Sequence, residues 1–192
     1  VIDTMPPVFI DSVIVSDALC NGDTAYADAF ASGGTGTILY SWSNGENTAN
    51  LADFAGTYYL TITDDNGCVD SASVVISEPT SLSVDSIITS GVSCNGDSDG
   101  TASAFVSGGT SPYSYSWSNG SINSSITDVS GNYSITVTDA NGCTDTASTI
   151  ISEPLAFSID SILTTSVICN GDSNGTASTF VSGGTSPYFY SW

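Results

Sequence analysis

The chain of 192 residues contains no Lys, Arg or His, so its 20 acidic residues leave a net charge of −20 uncompensated. Neutralising phosphate needs cationic side chains, which excludes nucleic acid as a partner, and the same sign argument excludes an anionic membrane surface. Charged residues make up only 10% of the chain against 40% hydrophobic, which sets it apart from acidic disordered polymers and predicts a folded core.

From the N-terminus, VIDTMPPV reads as a linker and Cys20-Asn21-Gly22-Asp23 as the first strong turn. Tyr58, Leu60 and Ile62 then alternate with polar or exposed-type residues, the period-two pattern of a half-buried strand. Asp64-Asp65-Asn66-Gly67-Cys68 is the next turn, and Ser77-Glu78-Pro79 closes the segment, because proline ends a ladder. The same order then returns. Cys94 opens a turn, Tyr113, Tyr115 and Trp117 alternate with Ser, and Tyr133, Ile135 and Val137 alternate with Ser134, Thr136 and Thr138. Asp139-Ala140-Asn141-Gly142-Cys143 and Ser152-Glu153-Pro154 complete it. A third copy starts again at Cys169-Asn170-Gly171 and reaches Trp192. Trp42, Trp117 and Trp192 are spaced 75 apart. No segment has a capped helical period, and no run of 18 apolar residues or lipidation motif occurs, so direct membrane insertion is not expected. Both natural termini are expected to lie beyond the sequence.

The predicted fold class is all-β: tandem immunoglobulin-like, PKD-like β-sandwich modules over 1–79, 80–154 and 155–192, each of six or seven strands, the third truncated. A sandwich of this size has a thin core and benefits from a staple. Pairing Cys20 with Cys68 and Cys94 with Cys143 gives one disulfide per module, and leaves Cys169 with a partner beyond the chain end. The competing arrangement joins Cys68 to Cys94 across the joint. With no CxxC and no His, zinc ligation is not expected, and disulfides point to an oxidising, extracellular setting.

CNGDSDGTASAFVSGGTSPYSYSWSNG at 94–120, followed by ITDVSGNYSITVTDANGC at 126–143, resembles the SprB-type repeat of large surface adhesins in gliding Bacteroidetes. The likeness covers the second period fully, the first with drift and the third up to Trp192. GNYSITVTDANGCTDTAS is also similar to PKD-type sandwich domains. The resemblance implies type IX secretion, display at the outer-membrane surface, contact with the gliding machinery, and adhesion, gliding motility or filament formation.

Catalysis lacks its usual groups. There is no His or Lys, Ser has no base to activate it, and Glu78 and Glu153 sit beside prolines. An enzyme is therefore not expected, and no cofactor is required. Asn95, Asp97 and Asp99 have the spacing that begins a calcium loop, and Asp139 and Asp145 would approach them if Cys94 bonded Cys143. The alternative, which the missing bidentate Glu favours, is an Asx-rich hairpin turn. The tyrosines and Trp117 offer a sugar-stacking strip, but alternation favours burial of Trp117, and Tyr133 has the position of a tyrosine corner. Asp followed by Ser or Thr and an apolar residue recurs, which resembles the O-glycosylation signal of secreted Bacteroidetes proteins. The candidate acceptors are Thr4, Ser12, Thr24, Ser71, Ser86, Thr146 and Ser161. Sequons at Asn119, Asn123, Asn132 and Asn174 matter only in a host with N-glycosylation.

The sequence thus predicts a non-enzymatic structural and adhesive repeat segment of a very large surface adhesin or filament. Its expected partners are neighbouring repeats, surface polysaccharide or other surface proteins. The competing reading is a spacer or carbohydrate-binding array of a secreted polysaccharide-degrading enzyme.

Overall fold

The computed structural model describes residues 6–192. Every regular element among them is a β-strand. The first period holds β1 (Val8–Ser16), β2 (Ala25–Gly33), β3 (Leu39–Trp42), β4 (Asn50–Asp53), β5 (Gly56–Thr63) and β6 (Val69–Ile76). The second repeats the set as β7 (Ser83–Ser90), β8 (Gly100–Ser107), β9 (Ser114–Trp117), β10 (Ser125–Asp128), β11 (Gly131–Thr138) and β12 (Thr144–Ile151). The third contributes the hairpin of β13 (Ser158–Thr165) and β14 (Thr176–Ser182).

Two compact units divide the chain. The first runs through Ser83 and takes in the turns Gly108–Tyr113 and Thr138–Thr144; the second holds the remainder. In the first unit the sheets run β1-β2-β4 and β3-β5-β6. Read as strands A to G, these are A-B-E and C-F-G, the immunoglobulin order without strand D. The second period builds the same orders, β7-β8-β10 and β9-β11-β12.

Alternation decides the faces. On β5 Leu60 and Ile62 are buried while Thr61 is exposed, and they meet Trp42, Leu51, Ile76 and the small residues Ala25, Ala27 and Ala29 in one core. Alanines on β2 make room for the Trp42 indole on β3, whose Nε1 donates to the Thr48 carbonyl at 3.0 Å. Trp117 is likewise buried, donating to Asn123 O at 2.9 Å, so the aromatic strip is broken at its largest member. Tyr58 and Tyr133 sit near the starts of the F-like strands, and their hydroxyls donate to Phe54 O and Val129 O, both at 2.9 Å, as tyrosine corners. Two residues on, where an immunoglobulin domain carries the second cysteine of its inter-sheet bond, stand Leu60 and Ile135, both fully buried.

The cystine lies elsewhere, and it corrects the expected pairing. Cys20 bonds Cys143, with Cα atoms 5.7 Å apart, while Cys68, Cys94 and Cys169 are free thiols. Strand direction gives the reason. The Cys20 turn follows the end of β1, beside the end of β6, where Ala18 N–H donates to Ser77 O. The Cys68 turn is at the opposite end, where Thr35 N–H donates to Asp64 Oδ2 and Gly34 N–H to Pro7 O. Nine residues of β1 separate the two ends, about 30 Å at the usual rise per residue. A cystine spans only about 4.4–6.8 Å between Cα atoms. The expected Cys20–Cys68 bond would have to cross the sandwich lengthwise, and so would Cys94–Cys143.

Candidate functional site at the repeat joint

The recurring motifs collect at one place, the joint between periods. Its first half is the Cys-Asn-Gly turn. Asn21 Nδ2 donates to Pro79 O at 3.2 Å, and Gly22 N–H donates to the Glu78 carboxylate at 2.6 Å. Asn95 and Gly96 repeat these bonds to Pro154 and Glu153 at 3.1 and 3.3 Å. Ser-Glu-Pro is therefore more than a chain stop. Its glutamate and proline carbonyl hold the turn that opens the same period.

The second half is the Asp-x-Asn-Gly-Cys turn. Asp139 is buried, and its carboxylate accepts from Asn141 N–H and Cys143 N–H at 2.9 Å and from Thr110 N–H at 2.8 Å. Asp64 accepts from the equivalent three donors, Asn66, Cys68 and Thr35. Burial pushes both carboxyls up, but the backbone donors together outweigh it and hold them below the ordinary carboxylate range. The Ser-Gly-Gly segment makes the approach possible. Gly109 has a φ of 58°, and a Cβ there would stand 2.8 Å from Asp139 Oδ2. Asn141 Nδ2 then donates to Leu19 O at 2.9 Å, next to the Cys20–Cys143 bond.

Asp99 and Asp145 are also committed to structure. Asp99 accepts from Ser93 Oγ at 2.5 Å and Ser93 N–H at 2.8 Å, bonds that hold its carboxyl below the usual range. Asp145 accepts from Val84 N–H at 2.7 Å and Thr146 N–H at 2.8 Å. Asp97 lies in the turn where its N–H donates to Cys94 O. Among the described residues, no three Asp, Glu, Cys or His side chains gather as a metal cluster. Asn95 and Asp99 instead make separate bonds, to Pro154 O and to Ser93.

The Asp-Ser/Thr pattern has a structural basis that sequence reasoning missed. Asp11 and Asp160 sit at β-bulges, where the register shifts between Ile10 and Ser12 and between Ile159 and Ser161. Their carboxylates accept from Ser32 Oγ and Ser182 Oγ at 2.8 Å, and Asp85 from Ser107 Oγ at 2.9 Å. Asp70 accepts from Ile10 N–H at 2.8 Å and so ties β6 to β1. The hydroxyl-bearing residues Ser12, Thr24, Ser71, Ser86, Thr146 and Ser161 are all exposed, and Thr4 lies outside the described residues.

The SprB repeat family model matches residues 12–47, 86–122 and 162–192, together more than half of the chain. The chain belongs to the SprB repeat family. Each SprB match starts within the first strand of a period and reaches at least its tryptophan, and the Asp-x-Asn-Gly-Cys half of the joint falls outside the matched spans. SprB repeats mark this chain as a surface-adhesin-like repeat region, of a kind found in cell-surface proteins, and the cystine agrees with an extracellular setting. Among solved structures, the amphioxus IgVJ-C2 molecule is similar at 15% identity and a TM-score of 0.31, covering 69% of this chain and 98% of its own. No curated protein matches the chain.

Proposed function

We propose that this segment is a non-enzymatic structural and adhesive part of a very large adhesin or filament, exported by the type IX route and serving gliding or surface attachment. One observation carries the reading. In both complete periods the same side chains make the same joint bonds, Glu78 and Glu153 to the Cys-Asn-Gly turn and Asp64 and Asp139 within the Asp-x-Asn-Gly-Cys turn. A surface that is rebuilt identically suits spacing and multivalent contact. Surface polysaccharide or other surface proteins are the partners expected of it.

Antibody labelling of intact cells of the source bacterium tests this. The repeats should stain without permeabilisation, and staining should be lost when type IX export is disabled. Staining only after permeabilisation overturns the reading. Retention of the purified chain on one polysaccharide column would instead favour a carbohydrate-binding array. O-linked glycans on Ser12, Ser71, Ser86, Thr146 and Ser161 belong to the same proposal, supported by the exposure of these residues. An intact mass equal to that of the bare polypeptide would remove that part.

A further inference from the structure

We infer that Cys94 is placed to form a second joint cystine with the cysteine of any Asp-x-Asn-Gly-Cys turn that seats on the third-period face beside it. The pattern comes from the bond already formed. Cys20 opens the turn that Glu78 and Pro79 hold, and it is joined to the Asp139–Cys143 turn of the next period. Cys94 stands in the same setting, on the turn that Glu153 and Pro154 hold, but its thiol is free and exposed.

The receiving surface beside Cys94 is also in place. Cys94 and Asn95 line a cavity of about 420 Å³ with Phe157, Gly184, Thr185 and Tyr188. Gly184 N–H donates to Leu155 O as Gly109 N–H donates to Thr80 O. Thr185 is the counterpart of Thr110. In the second period Thr110 supplies the N–H that Asp139 accepts, the carbonyl that Ala140 N–H reaches, and the hydroxyl that accepts from Asn141 Nδ2. Those contacts seat the cysteine turn against the Cys20 side of the joint. The cavity beside Cys94 therefore presents the floor on which a third-period Asp-x-Asn-Gly-Cys turn would sit, with a thiol at its edge. Bond formation would take both thiol protons and two electrons, delivered to a disulfide oxidant such as oxidised glutathione, which leaves as two thiols.

Two experiments test this. In the first, the chain is extended after Trp192 by a copy of residues 118–154, oxidised, and digested after aromatic residues, since it offers trypsin no site. The expected map links Cys94 to the copied cysteine and retains Cys20–Cys143. A Cys94–Cys143 link, or a free Cys94 in a chain that retains Cys20–Cys143, overturns the inference. In the second, the unextended chain is equilibrated with oxidised glutathione and a peptide of sequence TDANGCTD. Capture on Cys94 should exceed capture on Cys68 and Cys169 by about tenfold, because only Cys94 has the receiving surface beside it. The preference should vanish for the peptide with its first-turn Asp (the Asp139 equivalent) changed to Ala. Even labelling of the three thiols overturns the inference whether or not the extended chain folds.

Discussion

Asp64 and Asp139 show how a carboxylate can be a structural residue in a chain without cations. Each neutralises nothing; each gathers three backbone N–H groups into partly buried hydrogen bonds. An Asn at the same place keeps one accepting oxygen, but its amide would point a donor at donors. We expect Asp64→Asn/Asp139→Asn to lower the melting temperature by several degrees at neutral pH. The pH dependence follows from the lowered carboxyl pKa values. A group held below its unfolded value of about 3.9 contributes fully above that pH, and its contribution is lost as pH falls through the folded value. The gap between native and double-variant melting temperatures should be constant from pH 7 to about pH 5 and close below about pH 4. Comparing the two proteins at each pH cancels most of the relief of charge repulsion that acid also brings. A gap that stays open in strong acid would show that shape rather than charge holds the turn.

At the scale of elements, a buried tryptophan anchors each complete period. Trp117 is 3% exposed on β9, buried like Ala102, Ile126 and Ile135, whereas Trp192 is 77% exposed. Trp117→Ala should cost about 3–5 kcal/mol in urea unfolding, and Trp192→Ala well under 1 kcal/mol. Equal losses would mean that Trp117 does not anchor the sandwich. The burial of Trp117, like most of the strands, was legible in the sequence, because period-two alternation, as in Tyr113, Tyr115 and Trp117 or Tyr133, Ile135 and Val137, fixes both the element and its inward face. The corner role of Tyr133 was legible for the same reason. The joint was not. Which end of a sandwich a turn occupies depends on how many strand reversals precede it and on the order in which strands pair, and neither is written locally around Cys20 or Cys68. Loop length favours a within-repeat bond, although the length of the sandwich keeps Cys20 and Cys68 at opposite ends. The Asp-Ser/Thr recurrence was visible too, but the bulges at Asp11 and Asp160 were not, because a register shift is a feature that no single strand reveals.

For the whole molecule, the consequence of a bond across the period boundary concerns tension. The Cys20–Cys143 cystine closes a loop with a sequence separation of 123, so a force applied between the chain ends bypasses everything inside it. Unfolding β2 to β11 under load then adds no length, because the bond carries the force past them. Reduction should release about 420 Å of extra contour length, taking roughly 3.4 Å per residue of extended chain. A within-repeat Cys20–Cys68 bond would release only about 160 Å on the same scale. Single-molecule stretching of the chain held at its termini, before and after adding a thiol reductant, separates the two. The oxidised chain should show short extension and the reduced chain the long increment, and Cys20→Ser should show the long increment without reductant. An increment near the shorter value, or full extension of the oxidised chain, would remove the joint cystine and with it the idea that these repeats resist lengthening by covalent links between neighbours. If it holds, an adhesin segment of this kind transmits pull without paying out chain even when individual sandwiches open.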